Sequence, residues 1–214
     1  MTEQFEVLVV CTANICRSPL AERVIAKRLA NAAEQGGIPP DLVFVRSAGT
    51  FAEPGSPMCE QSAARLGARP NDHRASLIKP RRLATAQLIV TADRGHRGVC
   101  ARAWPECRPR LFTLTQAAAL AEQIAERLAT GSVPEGAPPL PEGAFARLRW
   151  LVSEMDASRG SLAGMPEGYE DIIDNHVPAD HAPTLSQTEK AATTLAGAMM
   201  MTVLAELPGE APAL

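Results

Sequence analysis

Charge of one sign is missing from this chain of 214 residues: 21 Lys and Arg stand against 24 Asp and Glu, for a net charge of −3. That balance builds no broad nucleic-acid surface. The basic clusters at Lys79–Arg82 and Arg94–Arg110 read as solvated faces. Long hydrophobic runs are also missing. The longest uncharged stretch, Ala191–Ala205, is shorter than a membrane span and helically periodic, so no membrane association is expected. The five cysteines are an odd number without scaffold spacing, which argues against a disulfide framework and for a reducing compartment. The acidic start Met1–Glu6 has no signal-peptide character, and a cytoplasmic location is the expectation. No paired-Cys or His-x3-His spacing points to zinc, although Asp174, His176, Asp180 and His181 fall close together; no metal and no cofactor are expected. Tyrosine occurs once, at Tyr169. There is no internal repeat. A 46% hydrophobic content is ample for a core and excludes a disordered chain.

What is present is concentrated early. Phe5–Val10 is a Val-rich apolar run that reads as a buried strand. Cys11-Thr-Ala-Asn-Ile-Cys-Arg-Ser18 follows, and Ser18-Pro19 opens a helical pattern with Leu20, Ala21, Val24, Ile25 and Leu29 on one face. Proline at the first helical position suits a helix start, because its missing N–H is not needed there. A loop between strand and helix turns its amides inward and, with the positive end of the helix dipole, forms an anion site. The same field and the nearby guanidinium of Arg17 favour a thiolate over a thiol, which makes Cys11 a candidate nucleophile. The planar fork of Arg17 suits two phosphate oxygens.

Strand patterns recur at Glu6–Val10, Leu42–Arg46, Gln87–Thr91 and Arg110–Phe112. Helical patterns separate them at Pro19–Glu34, Pro57–Leu66 and Asp93–Ala103. This alternation implies an α/β fold of three layers, α/β/α, around a four-stranded parallel sheet. The Cys11–Ser18 loop then lies at the carboxyl end of the first strand, where such sheets bind ligands. Thr113–Leu128 continues as a helix, Gly131–Pro141 reads as a loop, and Glu142–Ala157 carries Phe145, Leu148, Leu151, Val152 and Met155 on one helical face. Ser186-Gln-Thr-Glu189 has capping-box spacing ahead of the stripe Ala192, Leu195, Ala196, Met199 and Val203. Pro208–Leu214 reads as a frayed tail. One domain over residues 1–214 is expected, with an extra loop-helix segment near residues 130–170.

Cys11-Thr-Ala-Asn-Ile-Cys-Arg-Ser-Pro19 resembles the signature of the low-molecular-weight protein tyrosine phosphatases, a family related to thiol-dependent arsenate reductases. The likeness continues through Ser47-Ala-Gly-Thr50, Asp72-His-Arg-Ala75 and Gln87-Leu-Ile-Val-Thr-Ala-Asp93, over about residues 5–115. It implies hydrolysis of phosphomonoesters, protein phosphotyrosine foremost, through a phosphocysteine on Cys11. Thr12, Ala13, Asn14, Ile15, Cys16, Arg17 and Ser18 then bind the phosphate. Ser18 hydrogen-bonds the thiolate, Asn14 holds the loop in its strained shape, and Ser47 and His73 support Asn14. The resemblance also implies a reversible disulfide between Cys11 and Cys16. The partner is a phosphorylated protein or a small phosphomonoester, met by a monomer or weak dimer.

Three departures qualify the likeness. Ala13 stands where the family commonly has glycine, which matters if the backbone there needs a positive φ. The general acid of the family is an Asp followed by Pro and aromatics. Asp174 fits that place best, but Asn175 and His176 follow it, and Asp171 and Asp180 are alternatives. The usual tyrosine pair is absent, leaving Phe51 to line the mouth. Two rival readings follow. An arsenate reductase would use Cys100 and Cys107 as further thiols, with Asp93 where the first of them belongs. A non-catalytic phosphate-binding regulatory module would need no thiol.

Overall fold

The computed structural model describes residues 4–36, 38–132, 138–162, 171–174 and 181–205. Tyr169, Asn175, His176, Asp180 and the tail 208–214 lie outside the described residues. In chain order the elements are β1 (Phe5–Cys11), α1 (Arg17–Gly36), β2 (Val43–Gly49), α2 (Glu60–Leu66), α3 (Pro80–Thr85), β3 (Leu88–Thr91), α4 (Arg94–Ala103), β4 (Leu111–Thr113), α5 (Leu114–Thr130), α6 (Ala144–Ala157) and α7 (His181–Leu204). The four strands form one parallel sheet in the order β2-β1-β3-β4.

Side chains alternate across a pleated strand, so a sheet covered on both faces must be apolar at every position. Phe5, Val7, Val9, Leu88, Val90 and Phe112 enter one core with α1, α5, α6 and α7. Leu8, Val10, Ile89 and Leu111 enter the other, which Leu83 of α3 and Cys100 of α4 complete. The expected α/β/α sandwich is therefore the observed one. The chain leaves β1 to build β2 on one side and returns to build β3 on the other. This reversal opens a crevice at the carboxyl ends of β1 and β3.

Several boundaries differ from expectation. Helix α1 begins at Arg17 rather than Pro19, with the Leu20 amide donating to the Cys16 carbonyl at 3.1 Å. Pro19 is tolerated there because any amide in the first helical turn lacks an intrahelical partner. Helix α7 begins at His181, five residues before the capping box expected at Ser186; Pro183 occupies its first turn instead. Helix α2 begins at Glu60 rather than Pro57, because the Cys59 sulfur caps it by accepting from the Ser62 amide. Helix α3 was not expected at all. Strand β2 runs on to Gly49, which pairs with Cys11 in the register of β1. A Cβ at Gly49 would sit 2.4 Å from the Thr12 carbonyl oxygen, so only glycine lets this strand pass the loop. Helix α6 buries Leu148, Leu151, Val152 and Met155 as its periodicity implies.

Candidate active site

The loop is held from inside by Asn14. Its φ of +57° is the only positive value of a non-glycine among the described residues. Ala13 therefore needs no glycine. The Asn14 carboxamide is fully buried and used at both ends. Its Nδ2 donates to Ser18 Oγ at 2.9 Å and to Ser47 Oγ at 2.8 Å, and its Oδ1 accepts from the Ser76 amide at 2.9 Å. The His73 ring donates from Nε2 to the Asn14 carbonyl at 2.8 Å. Ser47 Oγ in turn donates to Glu22 Oε2. Because Ser18 Oγ accepts from Asn14, its proton is left for Cys11 Sγ, 3.0 Å away.

Replacing Asn14 by Ala should cost about 3 kcal/mol in urea denaturation, since it strands buried partners and leaves Ala with a positive φ. Gly at the same position should recover about 1 kcal/mol of that. A loss below about 1 kcal/mol for Asn14→Ala would mean that these bonds do not support the loop.

Arg17 is 2% exposed and forms the other half of the site. Its Nη1 donates to the Ile172 carbonyl at 2.7 Å and approaches Asp93 Oδ2 at 3.4 Å. Its Nη2 donates to Asp174 Oδ2 at 2.8 Å and to Thr12 Oγ1 at 3.2 Å. Thr12 Oγ1 also lies 2.8 Å from His96 Nε2. Asp93 caps α4 through the His96 amide, and its Oδ2 lies 2.8 Å from His96 Nδ1 without the alignment of a hydrogen bond. Burial raises the Asp93 carboxyl, but the close His96 ring, the His96 amide and the Arg17 guanidinium outweigh it and hold the group at about 2.

Of the candidate acids, Asp174 reaches Arg17. Asp171 is turned to the start of α4, where it accepts from the Arg94 amide at 2.6 Å and from Arg94 Nε at 2.9 Å. Asp180 lies outside the described residues. Ile172 between them is buried, and its amide donates to the Ala92 carbonyl at 2.8 Å. Phe51, whose amide donates to the Thr12 carbonyl at 2.9 Å, is 83% exposed, and Ile173 is 70% exposed. Two apolar side chains are thus exposed on the segments that meet Thr12 and Arg17.

Sequence patterns do not single out His96, Glu22 or Cys59, and they give Asp93 and His181 other roles than the ones they have beside and behind the loop. Asp93 alone left a signal, as an N-cap residue before α4. Cys100 and Cys107 are walled into the core beside α3 and α4. Burial pushes the Cys100 thiol up to about 12 and raises Cys107 as well, which suits packing rather than exchange.

A family model described as low molecular weight phosphotyrosine protein phosphatase matches residues 6–128. The chain is similar to low molecular weight protein-tyrosine phosphatase A of Mycobacterium tuberculosis, with 42% identity over 99 residues, 45% of this chain and 57% of that protein. It is also similar to a protein-arginine-phosphatase of Geobacillus stearothermophilus, with 29% identity over 114 residues, 52% of this chain and 70% of that one. The match thus spans little more than half the length of the mycobacterial relative. In the solved structure of YfkJ from Bacillus subtilis the same fold recurs, at a TM-score of 0.56 and 16% identity over 90% of this chain and 92% of that one. A structure of the arginine phosphatase YwlE with a phosphorylated active-site serine gives 0.54 and 21% over 90% and 94%. The family match covers more than half of the chain, and the protein belongs to the low molecular weight phosphotyrosine protein phosphatases.

Proposed function

We propose that the protein is a cysteine-dependent phosphatase that hydrolyses phosphomonoesters, protein phosphotyrosine first among them, by way of a phosphocysteine. One observation carries this reading. The buried Cys11 sulfur and the Arg17 guanidinium share one loop at the mouth of the crevice, and Asp174 lies 2.8 Å from that guanidinium. Cys11 attacks phosphorus from the carboxyl end of β1. The inward loop amides and the Arg17 fork hold the equatorial oxygens, where charge must be balanced as the phosphoryl group moves. Asp174 gives a proton to the leaving oxygen and then takes one from the water that attacks the phosphocysteine. The Ser18 hydroxyl stabilises the thiolate that departs in that second step.

Phe51 and Ile173 support an aryl substrate. They offer apolar walls to a ring whose phosphate sits in the loop, in place of the missing tyrosines. Each of the five cysteines is free, as a thiol nucleophile in the cytoplasm would require. Among the described residues, no helix is long and apolar enough to cross a membrane. Because relatives include protein-arginine-phosphatases, phosphotyrosine and phosphoarginine peptides are the pair of substrates to compare.

The role of Asp174 has its own test. Wild type should hydrolyse p-nitrophenyl phosphate and phosphotyrosine peptides. Asp174→Ala should slow alkyl phosphates by about 100-fold or more and p-nitrophenyl phosphate much less, since a good leaving group needs little protonation. Asp171→Ala should leave this leaving-group dependence as in wild type. An unchanged alkyl rate in Asp174→Ala would move the acid elsewhere, and no turnover by reduced, folded wild type would overturn the phosphatase reading.

A further inference from the structure

Behind the loop three soft ligands converge that the proposed hydrolysis does not use. Cys16 comes from the loop itself, Cys59 from the cap of α2, and His181 from the first residue of α7. The two sulfurs and one imidazole nitrogen all lie within 4.8 Å of one another. Cys16 and His181 are buried and Cys59 half-buried, so the cluster is shielded but reachable through Cys59. The scaffold around it is tied. The Cys59 amide donates to the Ile15 carbonyl at 2.8 Å, and Ser62 Oγ donates to the Cys16 carbonyl at 3.3 Å. Arg65 of α2 donates to the Ala182 carbonyl at 3.0 Å and pairs with Glu189 of α7.

From this geometry we infer a second site: a thiophilic divalent cation, zinc by its ligand set, bound by Cys16, Cys59 and His181. A tetrahedral zinc ion with S and N ligands at its usual bond lengths holds them about 3.5–3.8 Å apart. Cys59 Sγ and His181 Nε2 already stand 3.7 Å apart. The remaining separations close to that range by movements of about an ångström or less, which side-chain torsions supply. Two thiolates and an imidazole are the donors that select zinc over the hard cations magnesium and calcium. Three protein ligands leave one position for water. The ion joins loop, α2 and α7 at one point, so it braces the back of the phosphate loop and fixes the start of the helix that follows Asp174. It also occupies the Cys16 thiol, which is then withdrawn from reaction with Cys11.

Cobalt serves as the probe because thiolate ligation gives it charge-transfer absorption and tetrahedral geometry gives it strong visible bands. The reduced, chelator-washed full chain should take up one equivalent of Co²⁺ with both signatures, and Zn²⁺ should displace it. Cys11→Ser should bind as wild type does. Cys59→Ser should lose affinity more than about 100-fold, beyond the usual effect of losing a mere supporting partner. His181→Gln should weaken binding while keeping the charge-transfer absorption. X-ray absorption of the wild-type zinc form gives a readout independent of whether the variants fold, and two sulfurs with one imidazole nitrogen are expected. Binding that is lost in Cys11→Ser and kept in Cys59→Ser would place the ion on the nucleophile and overturn the inference. So would a folded, fully reduced wild type without the cobalt bands, whose cluster would then be a hydrogen-bonded one. Neither result bears on the hydrolysis reading, which is tested by turnover in metal-free buffer.

Discussion

Serine in place of Cys11 should abolish hydrolysis of p-nitrophenyl phosphate, by at least about 10,000-fold, in a protein that still folds and still binds phosphate. The exchange swaps a buried sulfur for an oxygen of similar shape, and the neighbouring Ser18 hydroxyl can bond either. The bonds that hold the loop through Asn14 do not involve the sulfur. What changes is the nucleophile of the proposed reaction, since an alcohol is a far weaker one than a thiol. Circular dichroism and phosphate binding by calorimetry should match wild type, while single-turnover assays find no phosphoryl-enzyme that forms and decays. More than a few per cent of wild-type activity in the variant would remove Cys11 from the reaction.

Arg17→Ala should lower kcat/KM by about 1,000-fold or more, through both binding and rate, because in the proposed reaction the same guanidinium holds the substrate phosphate and the charge that spreads over it. It should also destabilise the fold by about 1–3 kcal/mol, because it strands the Ile172 carbonyl and leaves two partly exposed carboxylates without their cation. Asp93 and Asp174 would then face each other across the space of the lost cation, and the Ile172 carbonyl would lose its donor. Arg17→Lys separates the two effects. A point charge restores much of the stability, but it cannot meet two oxygens at once, so the rate should stay low. Kinetics measured well below the unfolding temperature, with urea titrations alongside, distinguish these outcomes. A rate within ten-fold of wild type for Arg17→Ala would exclude the arginine from phosphate binding.

How much of this was legible in the sequence depended on the range of the interaction. The strands were readable because a doubly covered sheet makes unbroken apolar runs, as in Val7–Val10 and Leu88–Val90. The loop was readable because strand, Cys-x5-Arg and helix are neighbours in the chain. Helix starts were less so. The Ser186–Glu189 pattern imitated a cap inside α7, while the sulfur cap at Cys59 follows no common pattern. The contacts that finish the site leave no local trace. Arg17 meets the Ile172 carbonyl across 155 residues, and Cys59 meets His181 across 122. Asp93 stands in the sequence where a reductase would have a thiol, whereas it caps α4 and faces Arg17.

Ile172 has a consequence for how this architecture tolerates change. Its side chain fills the core, its amide is fastened to the end of β3, and its carbonyl to Arg17. The residue two places on therefore takes its position from a plug and two backbone ties rather than from its distance along the chain. The family-model match ends at residue 128, yet the carboxylate at residue 174 arrives beside the guanidinium. The stretch before such a plug can be lengthened, shortened or rewritten while the carboxylate stays in register with the guanidinium.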